Sequence, residues 1–352
     1  MSAGASHSKR RYRVVQWATG NIGTRSLRSV IEHPAMSLAG LYVHSEAKQG
    51  RDAGTFCGLG PVGVKATRSI DDILALDADC VLYMQQGCNF DDVCRILASG
   101  KNIVTTRTEF NNPASLAPEL RQRVEAACAQ GGASIHSTGA SPGFVTEALP
   151  LVLTSLLRRL DGFRISEFAN LAPRNSPELL FQVMGFGQAP DPRRDAGRAH
   201  HIREAFAPSL QLVAEALGLG FDAVEAHGEV ALARRRTEIA AGVLEAGTVA
   251  AQRATVTGLY KGEKLMSFDA NWYCGTDIDA DWDLRSDGWR IEMAGDVPMA
   301  VDIRFPVSVE QWPLVSPGLT AHRAVNAVPC VCEAAPGIRT TVDLPQIIST
   351  LA

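Results

Sequence analysis

The stretch that most constrains this chain is Arg13-Val14-Val15-Gln16-Trp17-Ala18-Thr19-Gly20-Asn21-Ile22-Gly23-Thr24-Arg25-Ser26-Leu27. A short, largely apolar run ends in a glycine-bearing turn, and Leu27, Val30 and Ile31 then recur at helical spacing. Strand, tight turn and helix in that order open a nucleotide-binding βαβ unit. Glycine lets a pyrophosphate approach the backbone and rest on the N–H groups of the helix start. Thr19, Gly20, Asn21, Ile22 and Gly23 are therefore cofactor-binding candidates. Ala18 stands where the first glycine of a G-x-G-x-x-G fingerprint belongs, and glycines in such a turn also serve packing alone. The rest of the chain has to decide between the two.

Its 352 residues are enough for two domains and a sizeable core. A net charge of -4 gives no reason to expect nucleic acid or an anionic membrane surface as partner. No apolar run approaches the ~20 residues that span a bilayer. Residues 1–11 are small, polar and basic with no apolar segment, so they read as a flexible leader on a cytoplasmic protein. The eight cysteines are scattered, with Cys330-x-Cys332 the closest pair and no C-x-x-C, which reads as reduced core thiols and no metal site.

The first half alternates strand and helix signals. Strands are expected at 14–17, 37–44, 80–83, 102–106 and 134–136, with helices at 23–33, after Ser69, at 90–99 and at 118–130. That order predicts an α/β, Rossmann-type, doubly wound parallel sheet whose ligand lies outside the carboxyl ends of the strands. The second strand ends in His44-Ser45, with Lys48 and Arg51 close behind. Hydroxyl and cationic groups there suit a 2′-phosphate, so NADP(H) is favoured, while Glu46 leaves NAD(H) open. Gln85 and Gln86 follow the third strand, and Thr105 ends the fourth.

Glu109 lies just past that fourth strand, where the nicotinamide of a dinucleotide points. A carboxylate between a threonine run and Phe110, partly withdrawn from water, suits general base work or cation binding; an exposed loop glutamate is the plain alternative. After the fifth strand, Thr138-Gly139-Ala140-Ser141-Pro142-Gly143-Phe144 makes a tight turn into an apolar helix expected over 145–157. Hinge and site are compatible readings of it.

Beyond it the pattern changes. A strand at 163–170, a short glycine-capped helix near 178–187 and a long amphipathic helix over 195–217 precede strands at 223–233, 248–260, 264–272, 289–294 and 299–305. Consecutive strands without helices between them predict a second α+β domain with a mostly antiparallel sheet. A last helix, 320–335, carries Pro329. The expected division is 1–11 leader, 12–145 nucleotide domain, 146–318 substrate and dimerisation domain, and 319–352 returning to the nucleotide domain.

Assembled, Val15–Gly23, Leu41-Tyr42-Val43-His44-Ser45, Thr106-Arg107-Thr108-Glu109, the turn at Thr138–Phe144 and Ala324-Val325-Asn326-Ala327-Val328-Pro329 resemble the 2,4-diaminopentanoate dehydrogenases and native amine dehydrogenases, which carry a dihydrodipicolinate-reductase-like N-terminal domain. The resemblance covers most of the chain. It implies a homodimeric NAD(P)H-dependent enzyme that interconverts an amine with a carbonyl compound plus ammonia. Carried across, the catalytic glutamate is Glu109, which would hold ammonium beside the carbonyl and take a proton as the amine attacks. The implied pocket walls include Phe144, Phe168 and Met184, and Asn326 joins the cofactor contacts. Ser141 stands where relatives often carry Asn, which alters how this turn would hold the nicotinamide end.

Two other readings compete. A true dihydrodipicolinate reductase, or a carbonyl reductase, needs no ammonia; the former resembles a paired-histidine site with a D-A-P-S-G-T run. Here His200-His201 falls inside the helical pattern, one of them expected buried, and no such run follows. A non-catalytic NADP(H)-sensing regulator would need the nucleotide half without Glu109.

Overall fold

The computed structural model describes residues 10–351, so positions 1–9 of the expected leader lie outside the described residues. The chain divides into two compact units. One runs to Phe144 and resumes at Leu314, and the other is Val145–Pro313. Among the described residues no helix is long and apolar enough to cross a membrane.

The first unit is built on β1 (Tyr12–Trp17), α1 (Asn21–Glu32), β2 (Met36–Tyr42), β3 (Ala66–Thr67), α2 (Ile70–Ala75), β4 (Cys80–Tyr83), α3 (Phe90–Ala98), β5 (Asn102–Thr105), α4 (Pro118–Gly131) and β6 (Ser134–Ser137). From the far end of the chain come α7 (Trp312–Glu333) and β15 (Gly337–Arg339). The seven strands lie in the order β15-β6-β5-β4-β1-β2-β3, each pair parallel. The order reverses beside β1, and that reversal opens the crevice in which doubly wound folds bind their ligands.

Both faces of this sheet are covered, which is why its strands read as near-continuous apolar runs. Val15, Trp17, Val81, Tyr83, Ile103 and Ile135 pack on Val93, Ile96 and Leu97 of α3 and Val124 and Ala127 of α4. On the other face Tyr12, Val14, Cys80, Leu82 and Val104 meet Val30 of α1 and Ala324, Val325, Val328 and Val331 of α7. Local signals set the helix starts: Ser69 accepts from the Asp72 N–H, and Asn89 from the N–H groups of Asp91 and Asp92. Two short strands of this unit, β3 and β15, have no counterpart among the strands expected from the sequence. The last helix starts eight residues earlier than expected and continues through Pro317 and Pro329.

The second unit contains α5 (Leu149–Thr154), β7 (Leu160–Asn170), α6 (Pro192–Ala216), β8 (Ala223–Leu232), β9 (Thr237–Ile239), β10 (Gly242–Leu244), β11 (Val249–Tyr260), β12 (Glu263–Tyr273), β13 (Gly288–Gly295) and β14 (Met299–Arg304). Its six-stranded sheet has the order β14-β13-β7-β12-β11-β8, antiparallel except where β7 meets β12. The apolar stripe of α6 (Ile202, Phe206, Leu210, Val213) packs on Ile165, Ala254, Val256 and Phe268, with Phe206 and Phe268 stacked at 3.8 Å. The opposite face is polar: the buried Asp269 carboxylate takes the Arg164 guanidinium and, at 2.6 Å, the Thr255 hydroxyl. The helix expected over 145–157 ends sooner, at Thr154, where the Ser155 hydroxyl turns back onto the Val152 carbonyl. His200 and His201 do lie in α6, but both are exposed, because the buried stripe of that helix begins its next turn at Ile202.

Candidate active site

The turn between β1 and α1 is shaped by three small residues. Ala18, in the first-glycine position, holds φ +72, a left-handed conformation that suits glycine better than alanine. A Cβ on Gly20 would meet open space, so the backbone there is free to face a ligand, whereas one on Gly23 would sit 2.3 Å from the Ala18 carbonyl oxygen. Buried Gln16 fixes the turn to the helix: its amide donates to the Ala18 carbonyl at 3.0 Å and accepts from Ser26 Oγ at 2.7 Å. The start of α1 has no side-chain cap and no acidic residue in its first turn. Its N–H groups are left for an anion, and with the helix dipole behind them they fit a dinucleotide pyrophosphate.

At the end of β2, exposed His44 and Ser45 lead into a one-turn helix at Glu46–Lys48. Lys48 Nζ is turned back to Thr19, donating to its Oγ1 at 2.9 Å. The Arg51 guanidinium lies over the Phe56 ring at 4.8 Å. Arg68, one residue past β3, donates Nε to the His44 carbonyl at 3.1 Å; the sequence reading had not singled it out. Trp17 stacks on Tyr42 at 3.7 Å and donates its indole N–H to Gln85 Oε1 at 2.7 Å, so the Gln85 side chain is engaged within the protein while Gln86 is exposed. Thr105 is fully buried, its hydroxyl donating to the Tyr83 carbonyl and accepting from the Arg107 N–H.

Past β5 the chain makes a single helical turn, Thr108–Phe110, anchored by fully buried Phe110. Arg107 Nη2 donates to Glu109 Oε1 at 2.8 Å, and each side chain is about three-tenths exposed (28% and 29%). The Arg107 backbone is held in turn by Thr105 and by the Ser137 hydroxyl, which donates to its carbonyl at 2.5 Å. Glu109 Oε2 and Arg107 Nε are buried without a hydrogen-bond partner. Burial, with Glu109 adding to it and Arg107 opposing, pushes the neighbouring Cys88 thiol up to about 12, so it stays protonated at any working pH.

The turn after β6 holds two more buried, unpartnered hydroxyls, Thr138 Oγ1 and Ser141 Oγ. Gly143 adopts φ +118, and a Cβ there would press on Thr138 at 3.0 Å, so this turn needs glycine. The backbone N–H of Ala140 reaches Thr320 Oγ1 on α7 at 3.3 Å, and Asn326 sits half-buried further along that helix. His136 of β6 is buried with Nδ1 2.8 Å from the Arg339 carbonyl and Nε2 unpartnered. Burial pushes its imidazole down to about 4. Unmet polar atoms thus gather at the carboxyl ends of β5 and β6, where this fold presents a ligand.

Of the three expected pocket residues, Phe144 belongs to the first unit, 37% exposed with the Arg323 guanidinium 5.6 Å from its ring. Phe168 is buried on β7, and Met184 ends a helical turn where its carbonyl accepts from Gln252 at 2.7 Å; both belong to the second unit. Arg107 and Thr138 stand in the sequence motifs without a site role of their own, and His136 only as the end of a strand. Arg107 stands two residues from Glu109, a spacing at which helical side chains do not face, so only the loop's own turn brings the pair together.

Residues 144–352 match the 2,4-diaminopentanoate dehydrogenase C-terminal domain family. The chain belongs to the 2,4-diaminopentanoate dehydrogenase family. An amine dehydrogenase of Streptomyces virginiae is 29% identical to this family member over 343 residues, 94% of this chain and 95% of the relative. A 2,4-diaminopentanoate dehydrogenase of Acetoanaerobium sticklandii is 22% identical over 260 residues, 73% of this chain and 70% of the relative. The solved structure of an amine dehydrogenase from Mycobacterium smegmatis shares the fold with a TM-score of 0.74, covering 98% of each chain at 19% identity. The chain is thus an oxidoreductase of a family acting on CH–NH2 groups, and its first unit has the Rossmann-type fold.

Proposed function

We propose that this chain is an NADP(H)-dependent amine dehydrogenase that reductively aminates a ketone or aldehyde with ammonia and runs the reverse deamination, with Glu109 binding and activating the ammonia. The observation that carries the reading is the split state of Glu109: one carboxylate oxygen is tied by Arg107 and the other is buried and unpartnered. Every nitrogen species in such a reaction is cationic or gains positive charge, and a fixed carboxylate oxygen stabilises each of them. Ammonium docks on Oε2 and gives that oxygen a proton, so nitrogen attacks the carbonyl carbon as ammonia. After a proton moves from nitrogen to oxygen in the adduct, Glu109 gives its proton to the carbinolamine hydroxyl, which leaves as water, and the regenerated carboxylate faces the charge of the iminium. Hydride is what the nicotinamide supplies when bound. Family membership and the amine dehydrogenase relatives support the amine chemistry.

The preference for NADP(H) rests on the end of β2, where His44-Ser45 offers no carboxylate at the strand tip and cations follow. A homodimer belongs to the same reading and is tested by light scattering. The functional test is oxidation of NADPH and NADH against a panel of ketones and aldehydes, with and without ammonium at alkaline pH. Oxidation that requires ammonium supports reductive amination. Oxidation indifferent to it would mean a carbonyl reductase, and tight NADPH binding with no turnover a regulator.

A further inference from the structure

We propose that Arg68 is the residue that recognises the 2′-phosphate, and that Lys48 and Arg51, the cations nearer in sequence to the β2 tip, do not. The inference rests on the NADP(H) preference just stated and deepens it. Three cations lie around the end of β2, and the protein engages two of them. Lys48 is folded onto Thr19, whose hydroxyl and carbonyl accept from its ammonium at 2.9 and 3.4 Å. Arg51 is laid against Phe56.

Arg68 differs in what it leaves open. β3 runs parallel to β2, with Leu41 opposite Ala66 and Tyr42 opposite Thr67, and the Val43 N–H reaches the Thr67 carbonyl at 2.9 Å. Arg68 therefore stands one residue past the strand end, opposite Val43 by the same register and one residue short of His44, on the edge where the fold presents a ribose. Its Nε is anchored on the His44 carbonyl, and its two terminal nitrogens have no partner among the described residues. This is so although carboxylates are close in sequence: Asp71 pairs with Arg95, and Asp72 accepts from the Thr67 hydroxyl at 2.5 Å. Arg68 is also near enough to the Tyr42 phenol to offset part of the upward push that burial and Asp92 give it. A guanidinium held by one nitrogen with the other two free is a planar fork, the geometry that grips a phosphate through paired hydrogen bonds.

The test is direct binding, by calorimetry on the full chain, of adenosine 2′,5′-bisphosphate against adenosine 5′-monophosphate, which needs no turnover. Wild type should favour the bisphosphate. Arg68→Gln, an exposed change, should weaken the bisphosphate about tenfold or more, the loss expected for a charge-assisted contact, and leave the monophosphate within about twofold. Arg51→Gln should move neither by more than about twofold. The proposal is overturned if wild type shows no preference for the bisphosphate, if Arg68→Gln weakens both ligands alike or neither, or if Arg51→Gln carries the loss instead. Absence of ammonia-dependent turnover would remove the amine dehydrogenase reading and leave these binding outcomes to stand or fall separately.

Discussion

Arg107 and Glu109 form an ion pair through one oxygen only: Nη2 meets Oε1 at 2.8 Å, while Oε2 is buried and unpaired. If that free oxygen receives ammonium, Glu109→Ala should reduce amination by about a hundredfold or more, the usual scale of a lost acid–base group. NADPH affinity should change by less than about twofold, since the phosphate turn lies on other strands. Steady-state rates and a fluorescence titration of NADPH on the same preparation check it, and retained turnover in the folded variant would reject the role.

Arg107 acts on the same oxygen pair from the other side. Arg107→Gln removes the contact that fixes Oε1, so the carboxylate is free to rotate and KM for ammonium should rise by about tenfold, as for loss of one charge-assisted hydrogen bond. The dissociation constant for NADPH should stay put. Arg107→Lys keeps the charge without the planar fork and should recover part of the loss. A purely structural Arg107 would shift thermal stability and leave the ammonium KM alone.

Gly23 packs α1 against β1 at a distance that admits no side chain. Gly23→Ala sets a methyl group 2.3 Å from the Ala18 carbonyl oxygen, and relief requires the helix start to move. Overpacking of this kind costs about 1–3 kcal/mol. The variant should melt several degrees lower and bind adenosine 5′-monophosphate at least about tenfold more weakly. Unchanged affinity would mean that the turn takes no part in nucleotide binding.

Burial holds the His136 imidazole down at about 4, opposed by its contact with the Arg339 carbonyl, against an ordinary value of 6.5. Between those values the unfolded chain binds a proton that the folded chain refuses, so stability rises with pH across this window. It is fully present above pH 6.5 and falls on acidification by up to about 1.4 kcal/mol per pH unit. Melting temperatures from pH 7.5 to 4.5 should therefore drop more steeply for wild type than for His136→Gln. Parallel curves would show that another group carries the acid sensitivity.

Much of the first unit was legible because its strands are buried on both faces and its helices announce their starts. Ser69 and Asn89 cap as their side-chain chemistry predicts, and the run from Val14 to Trp17 is a strand wherever it is placed. What escaped had no local cause. β3 is two residues and β15 three, too short for any periodicity, and each exists because a neighbouring strand offers an edge. The site shows the same divide. The place of Glu109 just past β5 was legible in the sequence, but its pairing with Arg107 was not, and the engagement of Lys48 with Thr19, 29 residues away, and of Trp17 with Gln85, 68 residues away, depends on where the strands end in space. Cationic residues at a strand tip are visible in a sequence; which of them the protein has already engaged is not.

The first unit is interrupted by the second, and this fixes an order of events during synthesis. Tyr12, Val14, Cys80, Leu82 and Val104 are covered by α7, and β6 gains its outer neighbour only with β15. Neither segment emerges from the ribosome until all of Val145–Pro313 has been made. For that interval the nucleotide sheet has an apolar face covered only in part, by α1, and an open strand edge, the surfaces through which nascent chains aggregate. The second unit, whose sheet and α6 are continuous in sequence, can close on itself first, leaving the earliest part of the chain to be finished last.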